Sequence, residues 1–234
     1  MGTNAAALIS SPELQAVLEA RAFAYRMLAN AFLAEPVREQ IRSLAATDAV
    51  SLFPYAADSE PIAQGVSEVT AYLGDPAGDT DAAFDALVWD FTRMFIGPGR
   101  LAAPPWESAY KTEERLLFQE PTLAVRQVFR AYGLVLATAP ASPEDHIGLE
   151  LDFMYHTCGL ALEQAKAGNV AGLEQICRDQ LDFLRTHLLS WAPAFAADVV
   201  RSSQTGYYRG MARMLDGFLR IDRAIAEELL GAAD

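Results

Sequence analysis

Apolar residues recur along this chain at intervals of three and four, and prolines and glycines cut the pattern into stretches of helical length. Ser11, Pro12 and Glu13 have the make-up of a helix start: a capping hydroxyl, a proline in the first turn and an acid beside it. Leu14, Val17, Leu18, Tyr25, Leu28 and Phe32 then follow at helical spacing until Pro36. Arg21 is the one charged residue on that stripe, and its stem is expected to lie along the apolar face with its head in water. Further helices are predicted over 39–46, from 61 to the Gly74-Asp75-Pro76 break, and over 81–95, the last with Phe84, Leu87, Val88, Phe91 and Phe95 on one face. Gly97-Pro98-Gly99 ends it abruptly.

Residues 97–120 show neither helical nor strand periodicity and contain Pro98, Pro104 and Pro105, so a long functional loop is expected there before Pro121 opens a helix toward Gly133. The segment 137–141 is small, weakly patterned and proline-bearing, the composition of a hinge. Beyond it Ser142 is expected to cap a helix with Pro143 at its first position, and Glu144 and Asp145 to face the positive end of its dipole. That helix carries Ile147, Leu151, Met154, Cys158, Leu162 and Ala165 on a buried stripe and breaks at Gly168-Asn169. A helix ending near Ser190, a proline-bearing segment over 191–195 that leads into a last helical region, a break at Gly206 and a final stretch over 207–229 complete the chain. No fixed-period repeat and no alternating run long enough for a sheet is present. The fold class is therefore all-α, a compact multi-helix bundle, with an N-terminal lobe over 1–136, a hinge and helix cap over 137–145, and a C-terminal lobe over 146–234 that together make one functional domain.

Composition narrows the function. The chain has 234 residues, 52% of them hydrophobic and 21% charged, enough to bury a sizeable core. A net charge of −13 opposes a phosphate-backbone partner and favours a basic one, so no nucleic acid is expected. Residues 1–7 lack a basic secretory n-region and every apolar stretch is interrupted short of membrane-spanning length, so a cytoplasmic protein without stable membrane insertion is predicted. Cys158 and Cys177 lie outside any CxxC or Cys/His spacing and read as buried small hydrophobes. Phosphate loops, dinucleotide fingerprints, zincin motifs and nucleophile elbows are all missing, and no cofactor is expected.

Two constellations remain. His146 with Glu150, and Asp152 with His156, stand one turn apart on two faces of one helix; such pairs are capped-helix ion pairs, a peptide contact, or ligands of a metal. The two directions diverge by roughly a third of a turn, which disfavours one compact metal site. In the loop, Trp106 and Tyr110 among prolines either plug the core or wall a groove for an extended peptide.

These residues also form a pattern. Phe91-Thr92-Arg93-Met94-Phe95-Ile96-Gly97-Pro98-Gly99, followed by Pro104-Pro105-Trp106-Glu107-Ser108-Ala109-Tyr110, resembles a signature block of the TorD/DmsD/NarJ group of redox-enzyme maturation chaperones. Pro143-Glu144-Asp145-His146 is similar to that group's hinge motif. Tyr25 and Phe32 near the start, and Trp191, Pro193 and Phe195 near the end, extend the resemblance over most of the chain. Ser142 departs from the group's usual glutamate and Ala109 from its usual valine. The resemblance implies a TorD-like fold of two lobes and a non-enzymatic chaperone that binds the twin-arginine signal peptide of a molybdenum-cofactor oxidoreductase and assists its maturation before export. It implies peptide-binding roles for Pro143, Asp145, His146, Trp106 and Trp89, with Tyr110, Glu107 and Glu144 behind them. Partners are then the leader peptide and the apo form of the molybdoenzyme, with a monomer favoured. The competing readings are a helical metal-dependent phosphohydrolase built on His146, Glu150, Asp152 and His156, and a helical adaptor or regulator.

Overall fold

A computed structural model describes residues 11–75, 80–111, 120–135 and 143–231. Ten α-helices are found among them, and no sheet. Helix α1 (Pro12–Phe32) starts as expected, with the Ser11 hydroxyl accepting from the Leu14 amide at 3.2 Å. It is followed by α2 (Arg38–Ala46), a 3₁₀ turn (Ala49–Leu52), α3 (Glu60–Gly74), α4 (Asp81–Phe91) and α5 (Ser108–Lys111). Helix α4 runs on through a π-helical turn (Thr92–Ile96) to Gly97, which holds φ at 111°. Then come α6 (Glu120–Ala131), α7 (Ile147–Lys166), α8 (Val170–Phe183), α9 (Leu189–Ser202) and α10 (Gly206–Gly231).

The largest packing faces pair α1 with α7 and α3 with α10. Both depend on glycine. A Cβ on Gly65 would lie 2.5 Å from the Gly210 carbonyl oxygen, and one on Gly148 would lie 2.6 Å from the Leu33 Cα. These helices approach more closely than any side chain permits. One hydrophobic core runs through Tyr25, Leu28, Phe91, Leu151, Trp191 and Phe218, and so joins helices from both sides of the expected hinge.

Three local expectations are corrected. Arg21 does not reach water. It is fully buried, and its guanidinium clasps Asp222 of α10 through Nε at 2.5 Å and Nη2 at 3.1 Å while Nη1 donates to Gln180 of α8 at 2.8 Å. No helix ends near Ser190: α9 runs through residues 191–195 and holds Pro193 inside it. A π-helical turn (Leu184–Leu188) leads into it, and the Ser190 hydroxyl donates to the His187 carbonyl at 2.5 Å. Ser142 and the proposed hinge over 137–141 lie outside the described residues, but α7 opens at Ile147, so Pro143 precedes the helix instead of starting it. The cap is His146, whose Nδ1 accepts from the Gly148 amide at 3.1 Å.

Candidate functional site

Pro104 and Pro105 fix their φ angles and hold the chain extended as it leaves the π-helical turn. That extended piece meets residues 145–147 in a short antiparallel bridge between Trp106 and His146. The Glu107 amide donates to the Asp145 carbonyl at 2.9 Å, and the Ile147 amide donates to the Pro105 carbonyl at 2.8 Å. The Trp106 and His146 rings meet edge to face, 5.8 Å apart. The predicted loop and the predicted hinge motif are thus one structure, joined by backbone pairing.

Asp145 fastens it. Its carboxylate is wholly buried and accepts from the Ser108 amide at 2.8 Å and the Thr122 hydroxyl at 2.9 Å, so one side chain ties the starts of α5 and α6 to the start of α7. Burial pushes His146 down to about 4, which keeps the imidazole neutral and able to accept the Gly148 amide. Glu107 is buried against His187, Oε2 to Nδ1 at 2.8 Å, with Lys111 at 3.8 Å. Beneath them Glu150 is fully buried, and the Trp191 indole donates to its Oε2 at 3.2 Å. Burial, with the Glu107 charge nearby, holds Glu150 well above the usual carboxylate range and favours its neutral form.

Glu144 is different. Its side chain keeps 11% of its surface, and Arg126 of α6 grips it in a fork: Nε to Oε1 at 2.6 Å and Nη2 to Oε2 at 2.8 Å. Those hydrogen bonds hold Glu144 below the ordinary carboxylate range. Tyr110 is half-buried, its ring 5.5 Å from Trp191 and its hydroxyl donating to Asp198 at 3.2 Å.

The structure therefore brings together Pro143, Glu144, Asp145, His146, Trp106, Glu107 and Tyr110. Trp89 does not join them; it stands on α4 with 70% of its surface exposed. The four side chains of the metal reading also separate. His146 caps a helix, Glu150 is buried on Trp191, Asp152 pairs with Arg26 at 3.0 Å, and His156 is exposed. Among the described residues no three metal-ligating side chains converge.

Sequence reasoning missed Thr122 and Arg126, whose spacing of four on α6 is the only hint that both face the turn. It also missed a cavity of about 300 Å³ between α1, α2 and α10, lined by Phe23, Met27, Val37, Ile41, Leu44 and Met211. Residues 27 and 211 meet only through the tertiary fold, so no local pattern announces that cavity.

Comparison with known proteins adds a further finding. Residues 56–197 match the family described as nitrate reductase delta subunit. The chain is 29% identical over 218 residues to the chaperone protein TorD of Vibrio cholerae serotype O1, covering 93% of this chain and 97% of that one. It is 28% identical over 210 residues to the chaperone protein TorD of Aliivibrio salmonicida, with 90% and 96% covered. The chaperone protein TorD of Vibrio parahaemolyticus is 26% identical over 214 residues, with 91% and 97% covered.

Proposed function

Because the chain belongs to the nitrate reductase delta subunit family, which includes the TorD-like group its sequence resembles, we propose that it is a cytoplasmic maturation chaperone. Its client is the apo form of a molybdenum-cofactor oxidoreductase, held through a twin-arginine leader until the cofactor is in place. The observation that carries this reading is the near full-length likeness to proteins named as TorD chaperones.

The geometry suits the task. A leader presents two guanidiniums followed by an apolar run, and its receptor needs a carboxylate with a fork-shaped approach and apolar surface nearby. Glu144 is the acid of the turn that keeps a surface side, two positions before His146, on whose ring Trp106 packs. Asp145 and His146 shape the turn from within, and Trp89 offers an exposed aromatic face. No bond is made or broken in this work, and the four side chains needed by a metal-dependent hydrolase do not converge.

Calorimetric titration with a synthetic leader from a molybdoenzyme encoded near its gene tests the reading, with a twin-lysine leader as control. Micromolar or tighter binding of the arginine form, weakened by Glu144→Gln and Trp106→Ala, is the expected result. A folded protein that binds no such leader overturns it.

A further inference from the structure

The Arg126–Glu144 pair has the geometry of a ligand complex. Two guanidinium nitrogens each meet one carboxylate oxygen, Nε to Oε1 at 2.6 Å and Nη2 to Oε2 at 2.8 Å. This two-point match distinguishes arginine from lysine, whose ammonium is a point charge on a flexible stem. The two partners are unequally held. Glu144 is anchored in the turn and 8% exposed as a residue, whereas the Arg126 side chain retains 31% of its surface. Arg130, one turn further along α6, adds a second positive charge near the same carboxylate. The carboxylate therefore stays put if the pair opens, while the arginine can swing into water.

We infer that Glu144 is a guanidinium-binding site whose resting occupant is the chain's own Arg126, and that an arginine of the incoming peptide enters by exchange with it. The inference rests on the proposed function only in naming the leader as the source of that arginine. Exchange has two consequences. The site is never left as a bare, nearly buried carboxylate, which protects the unloaded protein from the penalty of an unpaired charge. Affinity is also lowered by the share of time that Arg126 holds the site. Lysine peptides compete poorly, because they must displace a bidentate contact with a single-point one.

The test titrates wild type, Arg126→Gln, Arg126→Lys and Glu144→Gln with a peptide carrying two adjacent arginines before an apolar run, and with its twin-lysine counterpart. In parallel, Arg126→Ala and wild type are melted with N-methylguanidinium chloride or an equal concentration of methylammonium chloride. Arg126→Gln is expected to bind the arginine peptide about three- to tenfold more tightly, the gain when a resident that fills a site roughly 70–90% of the time is removed. Arg126→Lys should fall between it and wild type, Glu144→Gln should lose the preference for arginine over lysine, and methylguanidinium alone should raise the melting temperature of Arg126→Ala relative to wild type. Equal binding of the arginine peptide by folded wild type and Arg126→Gln overturns the inference and leaves the leader reading standing. Protection of Arg126→Ala by methylguanidinium, with no peptide binding by any form, upholds the guanidinium site and overturns the leader reading. Neither protection nor binding overturns both.

Discussion

Two of this molecule's arginine–carboxylate forks, Arg21–Asp222 and Arg126–Glu144, are built from the same groups and differ in what surrounds them. Arg21 and Asp222 are wholly buried, and the pair is completed on every side: Gln180 accepts from the guanidinium, the Tyr25 hydroxyl donates to Asp222 at 2.5 Å, and Gln180 in turn donates to Thr157 at 3.0 Å. It binds α1, α7, α8 and α10 into one arrangement. Arg126 and Glu144 are held by each other at the edge of a turn, with solvent against the arginine. A charge pair closed in by further hydrogen bonds fixes a fold, because no arrangement without those partners is tolerable in the interior. A pair open on one side leaves its carboxylate available to a competitor.

The sharpest way to break that contrast is to remove one partner of the buried fork. Arg21→Met leaves Asp222 uncompensated in the core and should lower unfolding free energy by about 3–5 kcal/mol, read from urea denaturation. Adding Asp222→Leu and Tyr25→Phe removes the stranded charge and hydroxyl together and should recover most of that loss. A triple variant no more stable than the single one would show that the network contributes attraction of its own.

Next in size is a pH effect at the turn. His146 is held down to about 4 by burial, against an ordinary value near 6.5 in the unfolded chain. Between those values the unfolded chain binds the extra proton, so stability falls as pH drops from about 6.5 toward 4, by on the order of 3 kcal/mol in total. A protonated Nδ1 also cannot accept the Gly148 amide. His146→Asn keeps a capping acceptor without a titration, and its stability should fall measurably less across that window. Equal slopes for both forms would place the acid sensitivity elsewhere. Asp145→Ala follows, with two donors left unmatched at Ser108 and Thr122 and a loss of about 2 kcal/mol. Because this change loosens the turn, weakened leader binding in it reports shape and not a lost contact with a cation.

These cases also show what the sequence could and could not disclose. Helix starts and stops were legible wherever the cause is local: Ser11 as a cap, the glycine at 97, the apolar stripe of α7. The loop and the hinge motif were recognised as pieces, and their residue types announced a site, but their backbone pairing joins positions 38–42 apart and leaves no periodic trace. Arg21 was misread because a long cation on an apolar face ordinarily reaches water. Its carboxylate lies 201 positions away, and nothing in either helix alone reveals it. The helix end was expected near Ser190 because a proline ordinarily interrupts a helix, yet Pro193 lies inside α9.

The smallest expected effect separates the two forks most cleanly. Salt screens charges in water over a few ångströms at molar ionic strength, while pairs shut away from solvent are screened much less. A double-mutant cycle on Arg126 and Glu144, measured by denaturation at about 0.01 M and again at about 1 M salt, should therefore show a coupling that shrinks toward zero at the higher strength. The same cycle on Arg21 and Asp222 should keep its coupling across that range. If both fade together, water reaches the interior pair and the distinction between a structural and an exchangeable fork collapses. If neither fades, Arg126 is held too firmly to yield its place, and an incoming arginine must find another acid.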